Sequence, residues 1–160
     1  MRMLFCLLAA TLFMGLNISI AQTSDSTDTE LPKVFLLGEY ENQYNQLIAK
    51  YDVSLLTVCK EDMPKAFKKW ISMNQEIEVY ANQIEFDMNG VRLWLHMFWE
   101  KDGTIKHIGY YLRPNSRNIK LEDLTAFLTS FTNHYKFPLT AKTSYQHYSF
   151  AQFPIMSQRN

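Results

Sequence analysis

Asp102-Gly103 lies between two stretches of alternating apolar residues, and this arrangement restricts the fold more than any other feature of the chain. Before it, Leu93, Leu95, Met97 and Trp99 fall at every second position of a strand expected over Val91–Glu100. After it, Ile105, Ile108, Tyr110 and Leu112 mark a return strand over Thr104–Leu112. Asp-Gly is a hairpin signal because glycine reaches positive φ without steric cost. A loop of Lys101, Asp102 and Gly103 would pair Glu100 with Thr104 and Trp99 with Ile105. The apolar series skips a beat between Ile105 and Ile108, and a β-bulge at Lys106-His107 restores it.

One apolar face of a hairpin needs a cover, and the flanking sequence supplies helices. Leu121, Leu124, Leu128, Phe131 and Tyr135 recur at helical spacing, with Glu122 and Asp123 suited to the positive N-terminal end, until Phe137-Pro138 stops the run. A longer helix opens at Asp62, whose carboxylate can cap it, with Pro64 in the first turn, where a missing N–H does no harm. Its expected buried face is Met63, Phe67, Trp70, Asn74, Ile77, Ala81 and Ile84. Val34–Leu37, ending at Gly38, reads as a strand. Tyr40, Tyr44, Leu47, Tyr51, Leu55 and Val58 then suggest a helix over 39–59, with a strand at Val53–Cys59 as the competitor. Ser144–Phe153, rich in aromatic residues, is the last strand. The fold class is therefore α+β: a small antiparallel sheet, hairpin plus C-terminal strand, packed with two or three amphipathic helices.

The N-terminus reads as an address. Arg2 precedes an apolar run from Met3 to Leu16, and Ser19 and Ala21 make a small-residue exit. The run is too short for a bilayer span, which needs about 20 apolar residues. A secretory leader cleaved after Ala21 is expected, with the protein periplasmic or secreted and no stable membrane span afterwards. Residues 22–32 form a polar tether, and 33–160 one domain with a helical part at 39–84. The exported chain keeps a single cysteine, Cys59, read as a small buried hydrophobe within Leu55–Cys59. No internal disulfide is possible, so stability must come from a packed core, which about 140 residues can supply. The 16 Lys plus Arg balance the 16 Asp plus Glu. A nucleic-acid partner is not expected, because such binders carry a basic stripe.

From Gly90 to Phe153 the chain resembles the C-terminal domain of TonB-like proteins. The likeness rests on Gly90-Val91, the alternating strand to Trp99, the Asp102-Gly103 turn, Ile105, Ile108 and Tyr110, a helix from Leu121-Glu122 to Phe137-Pro138, and an aromatic last strand. Met63-Pro64-Lys65-Ala66 is similar to the motif that opens the family's first helix. The resemblance implies a ββαβ core and a place in the cell envelope.

The chemistry is sparse. No phosphate loop, dinucleotide fingerprint, nucleophile elbow or zinc-helix motif is present, and no cofactor is expected. None of the four histidines has a metal-site spacing, so no metal is expected. What stands out is the hairpin's outward face, where Trp94, His96, Phe98 and Tyr111 occupy positions that a solvated sheet gives to Lys, Thr and Glu. Exposed aromatic patches mark interaction sites. The alternative is that the helix at 62–84 or the one at 39–59 covers this face. With His107, Tyr145 and His147, these residues form the candidate binding set: Trp94, His96, Phe98, His107, Tyr111, Tyr145 and His147. The expected function is a non-catalytic envelope module that binds a protein or extended peptide through this face or through the edge strand 144–153. The competing reading is a small periplasmic hydrolase or lyase with His96 or His107 in a pocket between helix and sheet.

Overall fold

In the computed structural model, which describes residues 30–155, the chain runs β1 (Val34–Leu36), α1 (Glu41–Lys50), α2 (Leu55–Val58), α3 (Met63–Gln83), β2 (Arg92–Trp99), β3 (Ile105–Leu112), α4 (Leu121–His134) and β4 (Tyr145–Gln152). The expected leader and most of the tether lie outside the described residues. The hairpin forms as its turn chemistry requires. Trp99 faces Ile105, the Glu100 N–H donates to the Thr104 carbonyl at 2.9 Å, and Phe98 faces His107, leaving Lys106 as the bulged residue. Gly103 holds φ at +87°, and a Cβ there would lie 2.0 Å from the Phe137 carbonyl oxygen. The turn is thus clamped onto the segment that follows α4, where Phe137 N–H donates to the Gly103 carbonyl.

The fold is α+β, with a sheet ordered β1-β3-β2-β4. β2 is antiparallel to both β3 and β4, but β1 joins β3 in parallel, so the sheet is mixed rather than antiparallel. A three-residue strand carries no local signal for its partner's direction. The long helical connection from β1 to β2 decides it.

The expected core face of the hairpin is buried from Leu93 to Tyr110, with Leu112 partly covered, and α3 and α4 pack over it through Trp70, Met73, Ile77, Leu124, Leu128 and Phe131. Cys59 joins this core, and burial pushes its thiol pKa up. Asp62 caps α3 by accepting from the Lys65 N–H at 3.0 Å. The buried stripe of α3 is Ala66, Trp70, Met73, Asn74, Ile77 and Ala81. Met63 and Phe67, expected inside, are 62% and 61% exposed, and Ile84 is exposed too. The stripe is centred on Met73 and Ile77, so Phe67 falls on its flank, while Met63 and Ile84 stand at the two ends of the helix.

The helix expected over 39–59 is broken. α1 stops at Lys50, Tyr51 turns inward to donate its hydroxyl to Glu100 Oε1 at 2.8 Å, and Ser54 restarts the chain as the cap of α2. The competing strand survives only as one parallel bridge between Ser54 and Gln146. A buried tyrosine with a carboxylate partner outweighs the few tenths of a kcal/mol by which each residue favours continuing a helix. Among the described residues no helix is long and apolar enough to cross a membrane.

Candidate functional site

Cross-strand register sorts the outer face of the sheet into three rows: Tyr111–Trp94–Phe150, Gly109–His96–Tyr148 and His107–Phe98–Gln146. α1 crosses above His96 in the second and Phe98 in the third. At 1.5 Å per residue it is about 15 Å long, against about 27 Å for β2, so it can shelter only part of the face. Beneath it a second core forms from Phe35, Leu47, Tyr51 and Phe98, with Tyr40 and Tyr44 against it. Gly109 makes this possible. A Cβ there would meet Leu37 Cδ2 at 2.8 Å and Phe35 Cζ at 3.1 Å, so the missing side chain is the space into which Phe35 and Leu37 close.

The first row stays open, together with Tyr148 from the second. The Trp94 and Tyr148 rings stack 5.3 Å apart at 13°, and Phe150 stands against Trp94 at 6.1 Å and 64°. The Arg113 guanidinium carbon lies 4.7 Å from the centre of the Phe150 ring and 5.9 Å from that of Trp94. Tyr148 is 48% exposed and Tyr111 47%; Trp94 and Phe150 are half-buried. The result is an aromatic patch with one cation laid on it.

The other expected site residues go elsewhere. His96 is buried, its Nδ1 accepting from the Tyr44 hydroxyl at 2.8 Å and its Nε2–H donating to Gln146 Oε1 at 2.9 Å. Burial lowers its pKa to about 4, partly offset by the Gln146 bond, so it is neutral near pH 7. Phe98 is fully buried under α1. His107 donates from Nδ1 to the Pro32 carbonyl at 2.9 Å, and burial lowers its pKa as well. It borders an open cleft of about 380 Å³ with Gln43 and Lys50. Tyr145 and His147 pair with Trp99 and Met97, which puts them on the opposite, core face. There Tyr145 is buried, donating to the Leu139 carbonyl at 2.8 Å, and His147 meets Trp70 edge-on at 4.8 Å. Tyr148, Phe150 and Arg113 are the members that sequence reasoning missed. Strand β4 has aromatic or histidine side chains on both of its faces, so its periodicity does not say which side is outward.

β4 is an edge strand, as expected, yet its edge is capped at two points. Val53 carbonyl accepts from the Gln146 N–H at 2.9 Å, and the Trp70 indole donates to the Phe150 carbonyl at 3.1 Å. An added strand would have to displace both.

No carboxylate is hydrogen-bonded to His96 or His107 among the described residues. Glu100 is held by Tyr51 and by Ser144 at 2.9 Å. Burial opposes its charge, and those two hydrogen bonds with the nearby Lys106 and Lys50 more than compensate, so its pKa is lowered. No three His, Cys, Asp or Glu side chains converge among the described residues. No family model, curated protein or solved structure matches the chain. The arrangement of its own side chains therefore carries the functional reading.

Proposed function

We propose that the protein is an exported, non-catalytic envelope component that binds a partner protein through the open half of its outer sheet face. The observation that carries this is the stack of half-buried Trp94 on exposed Tyr148, with Phe150 beside it and Arg113 across it. Trp, Tyr and Arg dominate binding hot spots, and the Trp and Tyr rings offer a large, rigid contact area at low entropic cost. Stacking holds these rings in place before a partner arrives, which lowers the ordering cost of association. The apolar leader ending in Ser19-Ile20-Ala21 supports export. The succession β2, β3, α4, β4 is the order that the likeness to TonB C-terminal domains implies, and it supports an envelope setting. The enzyme reading is less well supported, since both ring nitrogens of His96 are committed to structural partners.

The test is capture from an envelope fraction with the parent protein, Trp94→Ala and Tyr148→Ala immobilised side by side. A protein retained by the parent and released by both variants, with folding intact, supports the face as the site. Equal retention by all three rejects it.

A further inference from the structure

The β1 edge of the sheet keeps outward backbone groups that nothing among the described residues meets. On β4 two of the outward backbone groups are met, the Gln146 N–H by the Val53 carbonyl and the Phe150 carbonyl by the Trp70 indole. On β1, Lys33 carbonyl accepts from the Ile108 N–H at 2.8 Å and Leu37 N–H donates to the Tyr110 carbonyl at 2.8 Å. Alternation along a strand therefore turns the groups of Val34 and Leu36 away from β3. The Leu36 carbonyl is taken by the Glu39 N–H at 3.2 Å. The Val34 N–H, the Val34 carbonyl and the Leu36 N–H have no hydrogen-bond partner among the described residues. Val34 is 4% exposed and Leu36 half-buried, so these groups are reached only through a groove of about 530 Å³ between β1 and α4, walled by apolar side chains such as Tyr40 and Leu121. A row of unpaired backbone groups is a template for another strand.

The charge of the groove selects the occupant. Glu39 and Glu122 both line it, no lysine or arginine does, and neither carboxylate has an ion-pair partner among the described residues. Both also lie close enough to raise the pKa of the Tyr110 hydroxyl at the groove, although its burial is the larger cause. We propose that the β1 edge takes an extended segment of a partner protein as a fifth strand, with alternating small side chains and basic residues at its ends. This site is separate from the aromatic patch, because β1 and β4 are opposite edges of the sheet and Trp94 is not among the residues that line the groove.

Two probe peptides test it: alternating valine and threonine with lysines at both ends, and the same core ended in glutamates. The lysine-ended peptide should bind and slow amide exchange at Val34 and Leu36. The glutamate-ended peptide should bind at least about tenfold more weakly, and so should the lysine-ended peptide to a Glu39→Lys, Glu122→Lys double variant whose melting is unchanged. Trp94→Ala should leave this binding unaltered, which separates it from failure of the aromatic face. Equal binding of the two peptides, or no binding of either, overturns the proposal. So does full protection of the Val34 and Leu36 amides without peptide, which would assign the edge to the chain's own residues or, where protection rises with concentration, to a second copy.

Discussion

Trp94 and Phe98 point to the same side of one strand, four residues apart, and the fold treats them oppositely: Phe98 is fully buried under α1, while Trp94 is half-buried and stacked on Tyr148. Truncation separates them. Phe98→Ala should cost ~3–5 kcal/mol, as large-to-small changes in a core do. Trp94→Ala should cost less, ~2 kcal/mol, because its side chain is only partly buried. For a domain of this size that means a drop in Tm of more than ~10 °C for the first and less for the second. Thermal melts of the two variants decide it, and equal drops would place Trp94 in the core and remove the recognition face.

Gly103→Val should destabilise the domain by more than the ~1–3 kcal/mol that a strained φ alone costs, since the new side chain also strikes the Phe137 carbonyl. Urea denaturation should show a lower midpoint. An unchanged midpoint would mean that the turn is free to move away from the segment after α4.

Gly109→Ala probes the second core without touching the first. The added methyl meets the Leu37 and Phe35 side chains, which must shift to admit it. Overpacking of this kind costs ~1–3 kcal/mol. Tyrosine fluorescence should report disturbance of Tyr40 and Tyr44 over Phe35. A variant as stable as the parent would show that α1 sits loosely on the sheet.

His96 makes stability depend on pH. Its folded pKa is about 4, against 6.5 in the unfolded chain, so the unfolded state binds a proton first as the pH falls. The contribution is whole above pH 6.5 and is lost progressively towards pH 4, up to ~3 kcal/mol in all. His107 and His147 are lowered by burial in the same direction, so the parent's profile sums all three. Chemical denaturation of the parent and of His96→Gln at pH 7 and pH 4.5 isolates the one group. The variant should lose less stability between the two; equal losses would show that His96 does not stay neutral in the fold.

What the sequence by itself determined is what neighbouring residues settle between them. Asp102-Gly103 sets the turn, the missed beat after Ile105 reveals the bulge at Lys106, the two-residue period from Leu93 to Trp99 names the core face, and Asp62 announces the start of α3. Each depends on backbone sterics or on side-chain direction within a few residues, and those act whatever the rest of the chain does. Tertiary structure alone decided the outcome on the other face. Trp94, His96 and Phe98 share one parity, and only the short reach of α1, which begins at Glu41, sets Tyr44 over His96 and leads to Tyr51 over Phe98, left Trp94 open and closed the other two. Likewise the parity of β4, which brought Tyr148 and Phe150 to Trp94 and sent Tyr145 and His147 into the core, is settled by pairing with β2 across some fifty residues of intervening chain. Long-range burial chooses between arrangements that local chemistry leaves equal in energy.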